Sequence, residues 1–250
     1  MTTVPDELGA SQLRMIHRLP KAEVVDRFDH LGELADGRRV IHLGFVDAGF
    51  QELQMETGTW LHGRLAERAK TLVGVDIDEE GVAEARRRGF EAHVADCRTA
   101  DALAAIDIEP AEVVIAGEII EHLDDPGGFL DAMHVLVAPD GLLVLTTPNA
   151  SGLMNSAAAL IGTEVNHPDH VVLFSWRTLT NLLARHGWNH ASTSTFVPIL
   201  KRDPNWTPRW RLMGLAARML LAVGRVLGRL GAPFVADGLI VECRPAKKAR

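Results

Sequence analysis

The feature that most constrains the fold is a regular alternation of short apolar runs with helix-like segments between residues 39 and 149. Five apolar runs are predicted as strands, at residues 39–44, 71–78, 91–96, 111–117 and 141–149. Such alternation is typical of βαβ units, in which helices cover both faces of a parallel sheet. The sequence therefore predicts an α/β fold with a doubly wound, mostly parallel sheet.

The pattern changes after residue 150. Residues 175–188 have apolar side chains at helical spacing, and residues 190–200 and 237–245 resemble two further strands, which brings the predicted sheet to seven. The stretch between these strands predicts a helix interrupted only by glycine. The expected organisation is an N-terminal helical extension at 1–35, a core at 36–200 and 237–245, and a helical insertion at 201–236.

Composition and charge limit the cellular location and the partners expected for the chain. The 250 residues include two cysteines far apart, Cys97 and Cys243, which are expected to be reduced thiols. We find neither an apolar signal region nor a charge-free stretch of about twenty residues, so a cytoplasmic location is expected. The net charge is −7, and residues 201–250 hold eleven Lys/Arg against three Asp/Glu, so residues 1–200 carry −15. That acidic body argues against nucleic acid as a partner.

Two acidic residues follow predicted strands in an informative order. Asp76 ends the second strand in VGVDID, and Asp96 ends the third in VADC. Ligands of open α/β sheets bind at this carboxyl edge, although a single Asp could equally cap the following helix. The order resembles that of class I S-adenosylmethionine-dependent methyltransferases, in which the first acid binds the ribose hydroxyls and the second lies near the adenine. The resemblance covers roughly residues 38–190.

The glycine-rich turn of that family is altered in this chain. VIHLGFVDAG keeps Gly44, but His42 replaces the family's acid, and Phe45 and Val46 replace small residues that let the backbone approach the cofactor. Gly49 is a candidate to supply the turn in a longer loop. The resemblance assigns S-adenosylmethionine binding to His42, Gly44, Asp76, Ile77, Asp96, Cys97 and Gly117.

The stretch EIIEHL, residues 118–123, places two carboxylates and an imidazole directly after the fourth strand. If it were helical, Glu118, Glu121 and His122 would share one face, and the two carboxylates would need a cation or a proton between them. Two oxygen ligands with one imidazole suit Mg²⁺ or Mn²⁺. A solvated helix face is the alternative interpretation.

A second histidine-containing segment, NHPDHVVLFSW at residues 166–176, lies before the last predicted core helix. With the EIIEHL stretch it resembles the metal-dependent O-methyltransferases of the ubiquinone pathway and the small-RNA 2′-O-methyltransferases. That resemblance implies a metal site of Glu118, Glu121, His122 and His170, with His167 beside the substrate as the catalytic base. A simple turn is the alternative for residues 167–170, and His62 is a weaker candidate for the same cleft.

These features predict a divalent-metal-dependent O-methyltransferase. Its expected acceptor is a hydroxyl-bearing small molecule or saccharide, because a metal clamp recognises adjacent hydroxyls. An RNA 2′-O-methyltransferase and a non-catalytic methyltransferase-like subunit are the alternatives. The helix predicted within 208–231 has Arg211, Arg218 and Arg225 on one face. It is interpreted either as a lid or contact in a homo-oligomer, or as a peripheral membrane helix.

Overall fold

The computed structural model describes residue 16 and residues 18–46, 60–200 and 207–247. Gly49, the candidate for a longer turn, lies outside these residues. The strands of the described sheet are β1 (Val24–Val25), β2 (Arg39–Leu43), β3 (Thr71–Asp76), β4 (Glu91–Val94), β5 (Ala111–Gly117), β6 (Val137–Pro148), β7 (Trp188–Phe196) and β8 (Gly238–Pro245).

The α-helices of the described residues lie between these strands. They are α1 (Arg27–Ala35), α2 (Leu61–Ala66), α3 (Glu79–Arg87), α4 (Ala100–Ala104), α5 (Pro126–Ala132), α6 (Leu153–Leu160), α7 (Trp176–Arg185) and α8 (Pro208–Arg229). Short 3₁₀ turns occur at Ile120–His122, Met133–Val135 and Pro233–Val235. Among the residues that the structure describes, no helix has both the length and the apolarity needed to cross a membrane.

The sheet has the strand order β1-β7-β8-β6-β5-β2-β3-β4. Only β8 runs antiparallel to its neighbours, β6 and β7, so the predicted mostly parallel α/β architecture is confirmed. The predicted number of seven strands is wrong, because the sheet described contains eight. The additional strand, Val24–Val25, pairs with Thr195 and Phe196 at the edge of β7. Two residues give too little pattern for a strand to be recognised in sequence.

The core lies on both faces of the sheet, as a parallel sheet requires. Ile41 and Leu43 of β2 belong to the larger apolar cluster on one face, while Val40 belongs to the cluster on the other. A shift of one residue in strand pairing would move these side chains to the opposite face, so their alternation favours a single register. The predicted β3 and β4 extended two residues too far, because both strands end before the polar turns that follow Asp76 and Val94.

Candidate active site

A cleft of about 1290 Å³ opens at the carboxyl ends of β2, β3 and β5. Residues at the ends of these three strands line the cleft, as expected for ligand sites of open α/β folds. From the sequence-predicted set, the cleft is lined by His42, Gly44, Asp76, Gly117, Glu118 and His122. Helices α1 and α8 contribute Arg27, Arg218, Arg225 and Arg229 to its walls.

Gly44 makes the turn that the altered motif retains. It has a φ of 59°, which favours glycine, and a Cβ there would lie 2.7 Å from the Ile119 side chain. Asp76 accepts backbone N–H groups from Val46 at 2.9 Å and Asp78 at 3.0 Å. Burial nevertheless raises the pKa of the Asp76 carboxyl above its ordinary value. The Asp76 carboxylate therefore links the loop after β2 to the loop after β3, and it also lines the cleft.

The bulk of Phe45 and Val46 is accommodated by glycines on the neighbouring βα unit. Phe45 is buried, and a Cβ on Gly74 would lie 2.7 Å from its ring. The Val46 side chain fills the space beside Gly81 in the same way. Trp60 completes the packing, since its indole Nε1 donates to the Phe45 carbonyl at 3.0 Å. Large residues in the altered motif are therefore compensated by small ones at two distant positions.

His42, which replaces the family's acid, pairs with a second buried imidazole. The Nδ1 atoms of His42 and His62 are 3.2 Å apart, and the rings are stacked. Burial lowers the pKa of His62 to about 3, and it also places the pKa of His42 well below the ordinary value. Both rings are neutral at neutral pH, so the Nδ1–H of one ring must donate a hydrogen bond to the unprotonated Nδ1 of the other. His62 belongs to the core beneath the cleft and does not line it.

The residues predicted for the adenine side lie apart from the lining of this cleft. Asp96 forms an ion pair with Arg98, with 2.7 Å between Oδ2 and Nη2, and the hydrogen bonds from Arg98 lower its pKa. Burial raises the pKa of the Cys97 thiol to about 12. The Ile77 side chain is 63% exposed. The cleft thus includes the predicted ribose-side acid but not the predicted adenine-side residues.

Arg27 is a cleft residue that the sequence analysis missed. Asp26 caps α1 by accepting the N–H groups of Phe28 and Asp29, which places Arg27 at the first helical position, over the sheet edge. Its guanidinium lies 5.5 Å from the centre of the Phe196 ring and against Gly117. The Nε atom is buried and has no hydrogen-bond partner among the described residues. The sequence feature next to Arg27 is the helix-capping Asp26, and a capping residue predicts where a helix begins but does not predict a binding site.

The EIIEHL stretch does not form the helix that would align its carboxylates. Glu118 has a φ of 58°, and a 3₁₀ turn covers only Ile120–His122, so the expectation of one shared helix face is wrong. Thr146 Oγ1 donates to Glu118 at 2.9 Å, while Thr147 Oγ1 donates to Glu121 at 3.0 Å. Successive residues of a strand point to opposite faces of a sheet. The two carboxylates are therefore held on different sides of β6.

Glu121 is fully buried and incompletely bonded. Its Oε1 atom has no hydrogen-bond partner among the described residues and lies 4.0 Å from Nε2 of His170. Burial, followed by the charge of Glu118, raises the pKa of Glu121 to about 8. The backbone carbonyl of Glu121 accepts the N–H groups of Val171 and Val172, which attaches the second histidine segment to the first.

Three histidines meet beside this carboxylate. One ligand atom each from His122, His167 and His170 lies within 4.8 Å of the others. His122 Nδ1 is 3.2 Å from the backbone carbonyl of Asp169. Because a carbonyl can only accept a hydrogen bond, Nδ1 carries the proton and Nε2 has a free lone pair. His170 Nδ1 is 2.7 Å from Oδ1 of Asn166, which leaves its Nε2 facing Glu121. This arrangement, with one ring nitrogen held and the other presented, is characteristic of metal-binding histidines.

His167 differs from the other two histidines. Its Nδ1 atom accepts the Asp169 N–H at 3.3 Å and lies 3.7 Å from an oxygen of the Asp169 carboxylate. More than half of its side chain is exposed. The structure thus groups His122 and His170 of the predicted ligand set with His167 and places Glu121 4.0 Å from His170. Glu118, the remaining predicted ligand, accepts a hydrogen bond from Thr146.

Comparisons with known proteins identify the family. The profile of a methyltransferase domain family matches residues 56–193, more than half of the chain. Ubiquinone biosynthesis O-methyltransferase of Caulobacter sp. is 34% identical over 43% of this chain and 43% of its own length. The enzyme of the same name from Psychrobacter cryohalolentis is 29% identical over 52% of each chain. The matched region therefore spans about half the length of these relatives.

Solved structures agree on the fold. A SAM-dependent methyltransferase from Archaeoglobus fulgidus is similar over 96% of this chain and 94% of its own, with a TM-score of 0.50 and 17% identity. Magnesium protoporphyrin IX methyltransferase from Synechocystis, with bound SAH, is similar over 96% of both chains, with a TM-score of 0.50 and 14% identity. The chain belongs to the methyltransferase domain family, and its fold is the Rossmann-like fold predicted for class I methyltransferases.

Proposed function

We propose that this member of the methyltransferase domain family transfers a methyl group from S-adenosylmethionine to a hydroxyl oxygen, with a divalent cation bound beside the acceptor. The family match and the O-methyltransferase names of its relatives support the reaction class. The cleft at the sheet edge supplies the space for the cofactor. In this cleft Asp76 would accept the ribose hydroxyls, and the turn at Gly44 would lie against the amino-acid portion.

Arg27 gives the cleft a positive group at the other end of the cofactor. Its guanidinium lies against Gly117, where the chain leaves β5, and its buried Nε has no partner among the described residues. A buried N–H without an acceptor is costly, and a guanidinium bonds most strongly to an anion, so an anion is the expected neighbour of this Nε. The carboxylate of the methionine portion fits this requirement.

The observation that carries the metal proposal is the buried Glu121 carboxylate, whose Oε1 faces Nε2 of His170. A cation there would satisfy this oxygen, stabilise the ionised carboxylate and use the lone pairs presented by His122 and His170. Imidazoles together with a carboxylate suit Mn²⁺ better than Mg²⁺, which prefers oxygen ligands. The donor set therefore fits the predicted type of site, with Glu118 acting as a nearby charge in place of a ligand.

The acceptor chemistry follows from the exposed side of this cluster. A bound divalent ion would lower the pKa of a coordinated hydroxyl and orient it. The hydroxyl oxygen would then form a bond with the methyl carbon as the carbon–sulfur bond breaks, and the hydroxyl proton would pass to Nε2 of His167. This step uses the His167 tautomer that carries its proton on Nδ1, in place of the contact with the Asp169 N–H; the Asp169 carboxylate, 3.7 Å from Nδ1, would then stabilise the resulting imidazolium. Adjacent hydroxyls would suit such a clamp, so we propose a saccharide or a small natural-product diol as the acceptor.

Two measurements test this proposal. Calorimetric titration with S-adenosylmethionine should show binding to the full chain, and methyl transfer to a panel of glycosides and catechols should require Mn²⁺ after EDTA treatment. Absence of cofactor binding would contradict the transferase proposal altogether. Methyl transfer that persists in EDTA and in Glu121→Gln would contradict the proposed role of a metal and leave the transferase assignment intact.

A further inference from the structure

The helix α8 has an apolar face that the described part of the fold leaves exposed. Its residues recur every three or four positions, so they form one stripe along the helix. Their exposed fractions range from 49% to 79%. This outer face consists of Leu212, Leu215, Met219, Val223, Val226 and Leu230.

The opposite side of α8 attaches the helix to the protein. Gly214, Leu221, Gly224 and Gly228 are its buried residues, and they also follow helical spacing. Gly228 lies directly against Val24 of the edge strand, and Gly224 is close to the carbonyl of Val235. Small residues allow this close approach. Within the described ranges, α8 thus packs on the protein through this side alone, and its outer face stays exposed.

A basic flank separates these two faces. Arg211, Arg218 and Arg225 are spaced seven residues apart, and α8 contains five arginines and no acidic residue. Arg218, Arg225 and Arg229 line the cleft described above. The charge of this helix therefore contrasts with the net charge of −7 for the whole chain.

We infer that α8 is an interfacial helix, which binds an anionic lipid surface with its outer face in the acyl boundary and its arginines at the headgroups. A continuous apolar stripe beside clustered arginines is the pattern of helices that lie in a membrane surface. Five arginines are incompatible with a spanning role. A second copy of the chain is a poorer occupant, because it would bring two acid-free basic helices together.

A neighbouring helix carries further exposed apolar side chains. The helix α6 contacts α8, and Leu160 at its end and the following Ile161 are 88% and 78% exposed. If the proposed methyl transfer holds, the consequence is that the cleft opens at the membrane surface, where a lipid-linked or lipid-soluble hydroxyl compound could enter. That consequence rests on the proposed function, whereas lipid binding does not.

The inference is tested by sedimentation of the full chain with vesicles. Vesicles of phosphatidylglycerol and phosphatidylcholine should pellet the protein at low salt, and vesicles of phosphatidylcholine alone should pellet much less. The triple variant L215Q/M219Q/V226Q should bind anionic vesicles at least about tenfold more weakly, since it loses three exposed apolar side chains that would enter the acyl boundary. Its circular dichroism spectrum and S-adenosylmethionine binding should match those of the unaltered protein.

Charge is tested separately with matched arginine pairs. R209Q/R225Q, which removes two exposed arginines near the two ends of α8, should weaken binding to anionic vesicles by about tenfold. R177Q/R185Q, which removes two exposed arginines of α7, should not. No vesicle binding at low salt would overturn the inference. Self-association of the chain that is abolished by L215Q/M219Q/V226Q, without vesicle binding, would overturn it in favour of a dimer interface. Failure of cofactor binding alone would contradict the proposed function and leave the lipid result standing.

Discussion

Oε1 of Glu121 lies 4.0 Å from Nε2 of His170, and among the described residues it has no hydrogen-bond partner. Glu118, three residues earlier, is bonded instead to Thr146. If Glu121 is a metal ligand and Glu118 is not, their isosteric replacements must differ. We expect Glu121→Gln to weaken Mn²⁺ binding by at least about tenfold, and Glu118→Gln by less than about threefold. Isothermal titration with Mn²⁺ measures both.

The relative losses of Mn²⁺ affinity in Glu121→Gln and Glu118→Gln distinguish the ligand set predicted from the sequence, which includes Glu118, from the set proposed from the structure, which does not. An equal loss in both variants would return Glu118 to the metal site, as predicted from the EIIEHL pattern. No Mn²⁺ binding by the unaltered chain would remove the site. His134→Gln serves as a control, because that histidine stacks on Trp188, outside the cluster of His122, His167 and His170, and its loss should leave Mn²⁺ affinity unchanged.

A second prediction concerns Arg27. Replacing it with alanine removes the cation that faces the cleft beside Gly117. If it binds the carboxylate of S-adenosylmethionine, the dissociation constant should rise about 10- to 100-fold, the value of a charged hydrogen bond or two. Arg64→Ala is the matched control, because Arg64 stacks on Phe28 of the same helix α1 but does not line the cleft. Equal affinities in the two variants would exclude this role.

The position of much of this site could be predicted from the sequence, because the topology of a parallel sheet determines where the ends of its strands lie. The carboxyl ends of parallel strands meet at one edge, so Asp76 and the EIIEHL stretch had to lie near one another. The approach of His170 to Glu121 was also expected from the resemblance. The positive φ of Glu118 and the separation of the two carboxylates were not predictable, because they depend on adjacent threonines of β6. Arg27 was missed because a helix cap carries no information about which cleft the next residue faces.

The third prediction tests how the chain tolerates its altered glycine turn. Gly74→Ala places a methyl group 2.7 Å from the Phe45 ring. Overpacking of this kind should lower the free energy of unfolding by about 1–3 kcal/mol. Gly224→Ala is the matched control within α8, where the nearest atom would be 3.6 Å away. It should raise stability by about 0.5–1 kcal/mol, since alanine favours a helix. Urea denaturation measures both values, and equal effects would contradict the proposed compensation.

The final prediction is a dependence of stability on pH that originates in the His42–His62 pair. Burial lowers the pKa of His62 to about 3, while an unfolded histidine titrates near 6.5. Between these values the unfolded chain binds more protons than the native protein, so stability is lost as the pH falls from about 6.5 toward 3. The slope contributed by one such histidine reaches about 1.4 kcal/mol per pH unit.

Removing this histidine should flatten the acid side of the stability curve. In His62→Gln the ring cannot titrate, and a polar group remains within reach of His42 Nδ1, 3.2 Å from the original nitrogen. We expect lower stability at pH 7.5 but a smaller loss between pH 6.5 and 5, measured by urea denaturation across that range. His93→Gln, on β4 and outside the buried pair, should keep the steeper slope. Parallel curves for the unaltered protein and His62→Gln would show that the pair does not govern acid stability, because the proton uptake on unfolding would then have to come from other groups.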